Sequence, residues 1–352
     1  MEELPAVTIG NKKIGDGWPC FVIAEAGVNH NGNMSRAKQL IDAAHLAGAD
    51  AVKFQMFKAE NLVIPTAEKA DYQKRNDPTS PSQYQMLKNL ELSDNECKKL
   101  AVYAKKKGII FLSTAFDEDS LDLLIQLDVP AFKIPSGEIT NIPTLEKIAI
   151  QKKPVILSTG MSTLDEVRDS VGCLRENGCN DIILLHCTTS YPAPLESVNL
   201  RAMDTLRKVF SCPVGYSDHT EGILVPVAAV ARGSCIVEKH LTLDRTLPGP
   251  DHAASLEPDE LREMVTAIRN IERALGKIGK GPEPCEMKNR DIVRKSVVIA
   301  DDIPKGTVIK KTMLTLKRPG TGIPPRDLPN ILGKKAKMNL KKNTLLTQEM
   351  IE

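Results

Sequence analysis

The chain has 352 residues, which is longer than one average domain and leaves room for a large domain and a small one. Hydrophobic residues make up 41% and charged residues 26%, a balance typical of a globular protein, and no apolar run approaches the roughly 20 residues of a membrane span. The N-terminus lacks the features of a secretion signal, so we expect a cytoplasmic protein without a membrane partner. Eight cysteines without a C-x-x-C pair indicate reduced thiols rather than disulfides or zinc ligands.

The net charge of +2 is unevenly distributed along the chain. Residues 285–352 contain 15 Lys and Arg against 7 Asp and Glu, which gives +8, and residues 1–284 therefore sum to −6. A basic tail can indicate nucleic-acid binding, but this tail has no aromatic residue to stack on bases and no dense basic run. We expect no nucleic-acid partner, and the tail is better suited to an acidic protein surface or an anionic substrate.

Short apolar runs rich in β-branched residues alternate with helical patterns along the first 280 residues. Such continuous runs are typical of parallel strands buried on both faces. The predicted strands are Phe21–Gly27, Ala51–Gln55, Ile109–Ala115, Ala131–Ser136, Pro154–Gly160, Ile182–Thr188, Pro213–His219 and Cys235–Leu243. Eight strand–helix units predict an α/β fold of the (β/α)8, or TIM-barrel, type. A doubly wound sheet is the alternative, which the lack of a glycine-rich dinucleotide loop disfavours.

The two ends of the chain have different patterns. VTIGNKKIG, with a turn at Asn11, predicts a hairpin that closes the bottom of the barrel. Near Gly276 the sequence becomes rich in Gly, Pro and charge, which predicts a linker over residues 281–290. Short strand patterns with Pro and Gly turns follow this linker. We therefore predict a barrel domain over residues 1–280 and a small β-rich domain over residues 291–352.

Polar residues end nearly every predicted strand, at the edge where the catalytic groups of TIM barrels lie. Lys53 and Lys133 stand in apolar strands, where an unpaired ammonium is costly, so they predict an anion between them. Hydroxyl groups from neighbouring strand ends would complete this pocket, namely Thr114, Ser136, Ser158 and Ser217. His219 and His240 end consecutive strands, which lie about 4.8 Å apart in a sheet, so both could reach one ion. They would suit a cation such as Mn²⁺, although structural histidines are an equal alternative.

Motifs along the whole chain resemble the sialic acid synthase family, which includes N-acetylneuraminate, legionaminate and pseudaminate synthases. The motifs are, in order, FVIAEAGVNHNG, AVKFQ, FLSTAFD, FKIPSGEITN, ILSTGM, LLHCTTSYPAP, VGYSDHT, EKHLTLD, GPDHAASLEP, RKSVV and LKRPGTGI. The tail resembles the family's SAF, or antifreeze-like, domain with its β-clip fold. The resemblance implies condensation of phosphoenolpyruvate with an N-acetylated amino sugar, to give a nine-carbon 2-keto acid and phosphate. N-acetylmannosamine would be the sugar of an N-acetylneuraminate synthase, and a 2,4-diacetamido hexose that of a legionaminate or pseudaminate synthase.

The resemblance also implies roles for individual residues. The phosphoenolpyruvate ligands would be Lys53, Thr114, Lys133, Ser136, Ser158 and Ser217, and the metal ligands His219 and His240. Glu25 would be the acid/base group, with Lys53 and Asp251 in the same catalytic set. The sugar would contact Gln55, Glu138, Tyr191 and Asp251, and also Arg318 of a second subunit, because the family forms domain-swapped homodimers. The implied cofactor is a divalent metal, Mn²⁺ first, with Mg²⁺ or Co²⁺ as alternatives.

Two other functions stay open at this point. A Schiff-base aldolase of the same barrel would use a strand-borne lysine as its nucleophile. A non-enzymatic role in surface or carbohydrate binding would fit an antifreeze-like domain. The full set of polar strand ends and the highly charged tail disfavour this second role.

Overall fold

Two compact units make up the protein. A computed structural model describes residues 4–352, and the chain divides into Met1–Gly276 and Lys277–Glu352. Within the described residues, no helix combines the length and the apolar character that crossing a membrane requires. All eight cysteines are unpaired.

The first unit is a closed barrel of eight parallel strands that follows an N-terminal hairpin. The hairpin pairs β1 (Val7–Ile9) with β2 (Lys12–Ile14) in antiparallel fashion. The barrel strands, each bonded to the next and the last to the first, are β3 (Phe21–Gly27), β4 (Ala51–Met56), β5 (Ile110–Ala115), β6 (Phe132–Ile134), β7 (Val155–Ser158), β8 (Ile182–Cys187), β9 (Val214–Asp218) and β10 (Ile236–His240). Each predicted strand overlaps one of these, so the predicted TIM barrel is confirmed and the doubly wound sheet is excluded.

Helices follow the strands and cover the outside of the barrel. They are α1 (Met34–Leu46), α2 (Ala59–Leu62), α3 (Asp71–Asn76), α4 (Gln83–Leu90), α5 (Asp94–Lys107), α6 (Glu118–Gln126), α7 (Ile142–Ala149), α8 (Leu164–Glu176), α9 (Ala202–Phe210), α10 (Leu224–Ala231) and α11 (Pro258–Leu275). Capping boxes start two of them, with Ser93 before α5 and Thr163 before α8. The helices α2 to α4 form an insertion between β4 and α5, over the C-terminal ends of the strands.

Strict alternation of side chains decides what faces the inside of the barrel. Near the N-terminal ends of the strands the inward residues are apolar and pack on the hairpin in one cluster: Val7, Ile9, Ile14, Phe21, Ile23, Ala51, Leu112, Ala131, Ile156, Ile183, Leu185, Cys235 and Ile236. Two residues further along most strands, the inward positions become polar or charged, whereas β8 places Cys187 there after Ile183 and Leu185. The hairpin therefore closes the bottom of the barrel, and the chemistry is confined to the top.

The second unit is small and mostly irregular, with its own apolar core. It begins at Lys277, so the predicted linker, residues 281–290, belongs to this unit, and a short helix α12 (Met287–Val293) starts within it. β11 (Ser296–Ile299) and β12 (Leu314–Lys317) form an antiparallel pair, and isolated bridges join further segments. Its core is built from Val297, Ile299, Ile303, Ile309, Ile323, Ile331, Ala336, Leu340, Leu346 and Ile351. The predicted small β-rich domain is present.

Candidate active site

A cavity of about 370 Å³ lies at the C-terminal ends of the strands, and every barrel strand contributes a side chain to it. Its wall includes every site residue that the sequence predicted within the barrel unit: Glu25, Lys53, Gln55, Thr114, Lys133, Ser136, Glu138, Ser158, Tyr191, Ser217, His219, His240 and Asp251. Arg318, the remaining predicted residue, is exposed in the second unit, directly after β12.

Two lysines and two carboxylates of alternating charge form the floor of the cavity. Lys53 Nζ lies 2.8 Å from Glu25 Oε2 and 3.8 Å from Glu238 Oε2. Lys133 Nζ lies 3.6 Å from Glu238 Oε1. All four side chains are almost completely buried, so the two ammonium groups offset the two carboxylates in a region that water hardly reaches. We call these four residues the charged floor.

Hydroxyl groups extend the charged floor on both sides. Lys53 Nζ donates to Thr114 Oγ1 at 3.2 Å, and Lys133 Nζ donates to Ser158 Oγ at 2.8 Å. Ser217 Oγ donates to Glu238 Oε1 at 3.0 Å. The predicted anion pocket thus has its ammonium and hydroxyl groups gathered at one place.

The environment pushes the pKa values of the two floor carboxylates in opposite directions. Burial raises the pKa of Glu25, and the positive charge of Lys53 only partly offsets this effect. Burial acts in the same sense on Glu238, but Lys133 and Lys53 together lower its pKa to about 2. Burial lowers the pKa of Lys133, whereas Glu238 and Glu25 outweigh burial at Lys53 and raise its pKa. One carboxylate is thus favoured as a proton carrier and the other as a permanent negative charge.

Ser136 is held in place by a tight turn after β7. Its hydroxyl accepts from the Gly160 backbone N–H at 3.0 Å and lies 3.1 Å from Cys187 Sγ. A Cβ atom on Gly160 would lie 2.8 Å from both Ser136 Oγ and Cys187 Sγ, and closer still to Thr189 Oγ1. Only glycine leaves space for this cluster, which places one more hydroxyl beside the charged floor.

His219 and His240 lie above the charged floor, with their ring centres 5.6 Å apart. His219 Nδ1 lies 2.7 Å from the carbonyl oxygen of Thr188, so Nδ1 carries the proton and Nε2 keeps a free lone pair. His240 Nδ1 is buried, and the described residues provide no hydrogen-bond partner for it. Burial lowers the pKa of both imidazoles, which favours the neutral form that binds metals.

The two imidazoles fit a divalent cation that takes its other ligands from water and substrate. Among residues 4–352, no group of three or more His, Cys, Asp or Glu is arranged to hold a metal ion. A closed structural zinc site is therefore not formed there. Two neutral imidazoles, one of them oriented by a backbone carbonyl, leave open the positions that a catalytic metal needs.

Two of the predicted sugar contacts, Tyr191 and Asp251, lie beside the two histidines. Tyr191 packs on His219, with ring centres 4.2 Å apart. Asp251 Oδ2 lies 3.9 Å from His240 Nδ1, and burial, followed by the charge of Glu25, raises the pKa of Asp251 to about 7. Gln55 Nε2 donates to Glu25 Oε1 at 3.1 Å.

The insertion between β4 and α5 forms one apolar wall of the cavity. This apolar wall consists of Phe57, Leu62, Val63, Met86, Leu87 and Leu90 of the insertion, together with Phe116, which follows β5. Tyr72 of the same insertion stacks on Tyr191, with ring centres 4.9 Å apart. Within the described cavity lining, Lys53 and Lys133 are the only Lys or Arg side chains, and both belong to the charged floor.

Comparison with known proteins identifies the family of the barrel. The model of the NeuB family matches residues 40–280. The chain belongs to the NeuB family. A SAF domain model matches residues 294–352, which confirms the predicted assignment of the small C-terminal domain.

NeuB-family relatives cover nearly the whole chain. The N,N'-diacetyllegionaminic acid synthase of Legionella pneumophila is 52% identical over 97% of this chain and 98% of its own length. The enzyme of the same name from Campylobacter jejuni is 50% identical over 93% of this chain and 99% of its own length. The crystal structure of the N-acetylneuraminic acid synthetase of Leptospira borgpetersenii superimposes with a TM-score of 0.73, at 36% identity over 82% of this chain and 96% of that one. The predicted sialic acid synthase family is thereby confirmed.

The structure adds cavity residues that the sequence analysis did not select as site residues. Glu238 is the central carboxylate of the charged floor, and its spacing of two residues from His240 was the signal for an inward position. The same alternation of side chains along β8 also indicates an inward position for Cys187. Tyr72 and most of the apolar wall lie on short helices of an insertion or on the loops beside them, where no periodic pattern indicates them.

Proposed function

We propose that this chain condenses phosphoenolpyruvate with a 2,4-diacetamido-2,4,6-trideoxy hexose, giving an N,N'-diacetyllegionaminate-type 2-keto acid and phosphate. The observation that carries the proposal is a cavity with two unlike zones, the charged floor and the apolar wall. The two synthases of that name, at 52% and 50% identity, support the same choice. N-acetylneuraminate synthesis from N-acetylmannosamine is the second candidate, supported by the Leptospira structure at 36% identity.

Phosphoenolpyruvate would occupy the charged floor. It carries a carboxylate and a phosphate on adjacent groups, and Lys53 and Lys133 present two buried ammonium groups with hydroxyl donors beside them. Charge-assisted contacts of this kind are the strongest that a protein offers to an anion. Ser136, held by Gly160 and Cys187, would add a further donor.

The far end of the sugar would lie against the apolar wall. In the diacetamido sugar this end carries an acetamido methyl and the C6 methyl, whereas N-acetylmannosamine carries hydroxyl groups there. Apolar side chains favour the methyl groups and leave hydroxyls without partners. A 6-phosphate on the sugar would need a cation, and both lysines of the described lining are already committed to the charged floor.

The residues of the cavity have distinct tasks in this reaction. Lys53 and Lys133 hold the enol phosphate, which orients its C3 carbon towards the sugar aldehyde. The new C–C bond takes the π electrons of the enol, and the aldehyde oxygen must gain a proton. Glu25 is in place for this transfer, because Gln55 and Lys53 fix both of its oxygens. Asp251 and Tyr191 orient the sugar beside the histidines.

A divalent metal, Mn²⁺ before Mg²⁺ or Co²⁺, is part of the proposal, with His219 and His240 as its protein ligands. When bound there, it would supply Lewis-acid polarisation of the sugar oxygen. The free lone pair of His219 Nε2 supports this assignment, as does His240 Nδ1, which has no hydrogen-bond partner among residues 4–352.

A phosphate-release assay with a panel of sugars tests the proposal. We expect kcat/KM for the diacetamido trideoxy sugar to exceed that for N-acetylmannosamine by about tenfold or more, because one or two methyl contacts are worth about 1–3 kcal/mol. Leu87→Gln, in the apolar wall, should reduce this preference, whereas Val102→Gln, on the exposed outer face of α5, should leave it unchanged. Equal use of both sugars would favour the second candidate.

The Schiff-base aldolase is separated from this proposal by borohydride reduction in the presence of pyruvate. The synthase forms no imine with substrate, so no covalent adduct is expected. A stable adduct on Lys53 or Lys133 would overturn the proposed reaction.

We further propose a homodimer in which Arg318 reaches the sugar in the partner's cavity. Residues 285–352 carry +8 and residues 1–284 carry −6, so opposite charge would favour the approach of this tail to a partner's barrel, and a guanidinium suits the acetyl oxygen of the substrate. Mixing inactive Arg318→Ala and Glu25→Ala chains should restore activity through mixed dimers. If the subunits exchange and activity does not return, the arginine acts in the cavity of its own chain. The proposed location is the cytoplasm, where phosphoenolpyruvate is made.

A further inference from the structure

Lys239 and Asp218 form an ion pair directly behind the cavity wall. They are register partners on β10 and β9, and Lys239 Nζ lies 2.6 Å from Asp218 Oδ2. Strand alternation turns both side chains away from the cavity, because Glu238 and Ser217, one residue earlier on each strand, line it. Neither side chain of the pair is exposed to solvent. The pair is thus out of reach of a substrate, and it can influence the reaction only through other residues.

Thr220 closes this ion pair into a ring of hydrogen bonds. Its backbone N–H and its hydroxyl donate to Asp218 Oδ1 at 3.1 and 2.9 Å, and its carbonyl oxygen accepts from Lys239 Nζ. We call Lys239, Asp218 and Thr220 the outer clasp. Since Asp218 and Thr220 flank His219, and Lys239 precedes His240, the outer clasp joins the chain on both sides of one imidazole to the residue before the other.

The two histidines are otherwise anchored to different neighbours. The carbonyl oxygen of His219 accepts from the Ala193 N–H at 2.8 Å, and its Nδ1 lies 2.7 Å from the Thr188 carbonyl oxygen, so the loop after β8 holds this residue. His240 is in register with Glu25 of β3. The register between β9 and β10 ends one residue before both histidines. At this point the outer clasp connects the two segments.

A shared metal ion places a demand on this connection. Two imidazoles can bind one ion only if both ligand nitrogens lie about 2 Å from it. Functional sites need their ligands within about 0.5 Å of the working geometry. Backbone hydrogen bonds supply such a fixed spacing inside a sheet, but the ladder between β9 and β10 has ended here.

The chemistry of the outer clasp is that of a spacer. A buried ion pair stabilises a fold little more than an apolar pair of the same volume does, whereas its hydrogen bonds fix a distance and a direction. Lys239 donates to two oxygen atoms that belong to the two residues around His219. A shift of either strand past the other would break these bonds.

We propose, on the basis of the proposed function, that Lys239 is a positioning residue for the metal site. Together with Asp218 and Thr220 it sets the separation of His219 and His240, and thereby the affinity for Mn²⁺, without contacting metal or substrate. Loss of an interaction that orients metal ligands typically costs about 10–100-fold in metal affinity. We expect a loss in this range without the outer clasp, and unchanged binding of phosphoenolpyruvate.

The double variant Asp218→Asn, Lys239→Met tests this role, because it removes the bonds of the ammonium group and leaves no unpaired charge. Calorimetry of the metal-free protein should give a Kd for Mn²⁺ about 10–100-fold above that of the wild type. The Kd of phosphoenolpyruvate, measured without metal, should not change. The matched control Asp50→Asn, Arg269→Met removes an ion pair of 3.1 Å at the N-terminal end of the barrel and should alter neither Kd.

Two results overturn the inference. One is a Kd for Mn²⁺ equal to that of the wild type, and the other is a parallel rise of both Kd values, which a general loosening of the barrel would produce. If the double variant does not fold, Thr220→Val replaces it, because it removes one hydroxyl bond and keeps the ion pair. This variant should weaken Mn²⁺ binding by a smaller factor, and an unchanged Kd for Mn²⁺ overturns the inference there too.

A separate control distinguishes failure of the metal site from failure of the inference. Mn²⁺ should bind the wild type more tightly than it binds the His219→Ala, His240→Ala double variant. Equal binding would mean that the metal site of the proposed function is wrong, and this inference would fall with it. Weaker binding by the histidine variant, together with wild-type affinity when the outer clasp is removed, overturns the inference alone.

Discussion

A buried ion pair on the outer face of the barrel allows a quantitative test of what holds β9 and β10 together. Lys239 and Asp218 are register partners on these strands, both side chains are fully buried, and Lys239 Nζ lies 2.6 Å from Asp218 Oδ2. Lys239 also donates to the carbonyl oxygen of Thr220, whose hydroxyl and backbone N–H donate to Asp218. The pair is thus enclosed by hydrogen bonds and has no contact with solvent.

Lys239→Met should destabilise the barrel by about 3–5 kcal/mol, because it leaves an uncompensated carboxylate in the interior. With an m-value of about 1–3 kcal/mol per molar urea, the midpoint of unfolding followed by circular dichroism should move by at least about 1 M. The double variant Asp218→Asn, Lys239→Met should lose far less than the sum of the two single variants, since neither charge remains.

The matched control is Lys74→Met, because Lys74 pairs with Glu68 at 2.9 Å on the surface, with 49% and 85% of the side chains exposed. Solvent and salt screen such an exposed pair, so its loss should hardly move the midpoint of unfolding. A loss for Lys239→Met as small as that of the control would refute the reasoning. The reasoning would also be refuted if the stability loss of the double variant equalled the sum of the losses of the two single variants.

Three further predictions concern the cavity and the loops beside it. Gly160→Ala should raise the KM for phosphoenolpyruvate at least tenfold, because its Cβ would lie 2.8 Å from Ser136 Oγ, whereas Gly172→Ala, with nothing within 4 Å, should leave KM unchanged. Burial lowers the pKa of His252 to about 4, so below pH 6.5 only the unfolded chain gains this proton and stability falls as the pH drops. In urea titrations between pH 7.5 and 5, His252→Gln should therefore remove about 1.4 kcal/mol per pH unit of this loss, and an identical pH dependence in both proteins would disprove it. Chelation should abolish turnover, and added Mn²⁺ should restore it. A fully active His219→Ala, His240→Ala double variant would contradict the assignment of these two residues as metal ligands.

Much of the barrel could be predicted from the sequence because two simple periods govern it, the alternation of side chains along strands and the 3.6-residue turn of helices. Alternation along buried strands placed Lys53, Lys133 and Ser217 on the inside, and the structure finds them there. Six of the eight barrel strands are shorter than predicted, as at β10, because the chain leaves the sheet once its backbone bonds go to loops instead, whereas β3 has the predicted bounds and β4 is one residue longer. Leu241 already forms only an isolated bridge with Leu256.

The missing parts of the site depend on contacts that no local pattern contains. Glu238 and Lys53 belong to strands that are separated by β3, so their approach depends on how the closed barrel staggers its strands. Tyr72 lies on a helix of six residues, too short to show an amphipathic period. Its position is set by stacking on Tyr191, which is distant in sequence.

The closed bottom of the barrel has a kinetic consequence. Since the hairpin and the apolar layer above it fill the N-terminal end, both substrates must enter the barrel from the same side. The charged floor lies directly on this apolar layer, and the proposed sugar site lies above the charged floor. We therefore expect an ordered mechanism in which phosphoenolpyruvate enters first, and a sugar that arrives early blocks its path. At high concentration the sugar would then inhibit the condensation of which it is a substrate.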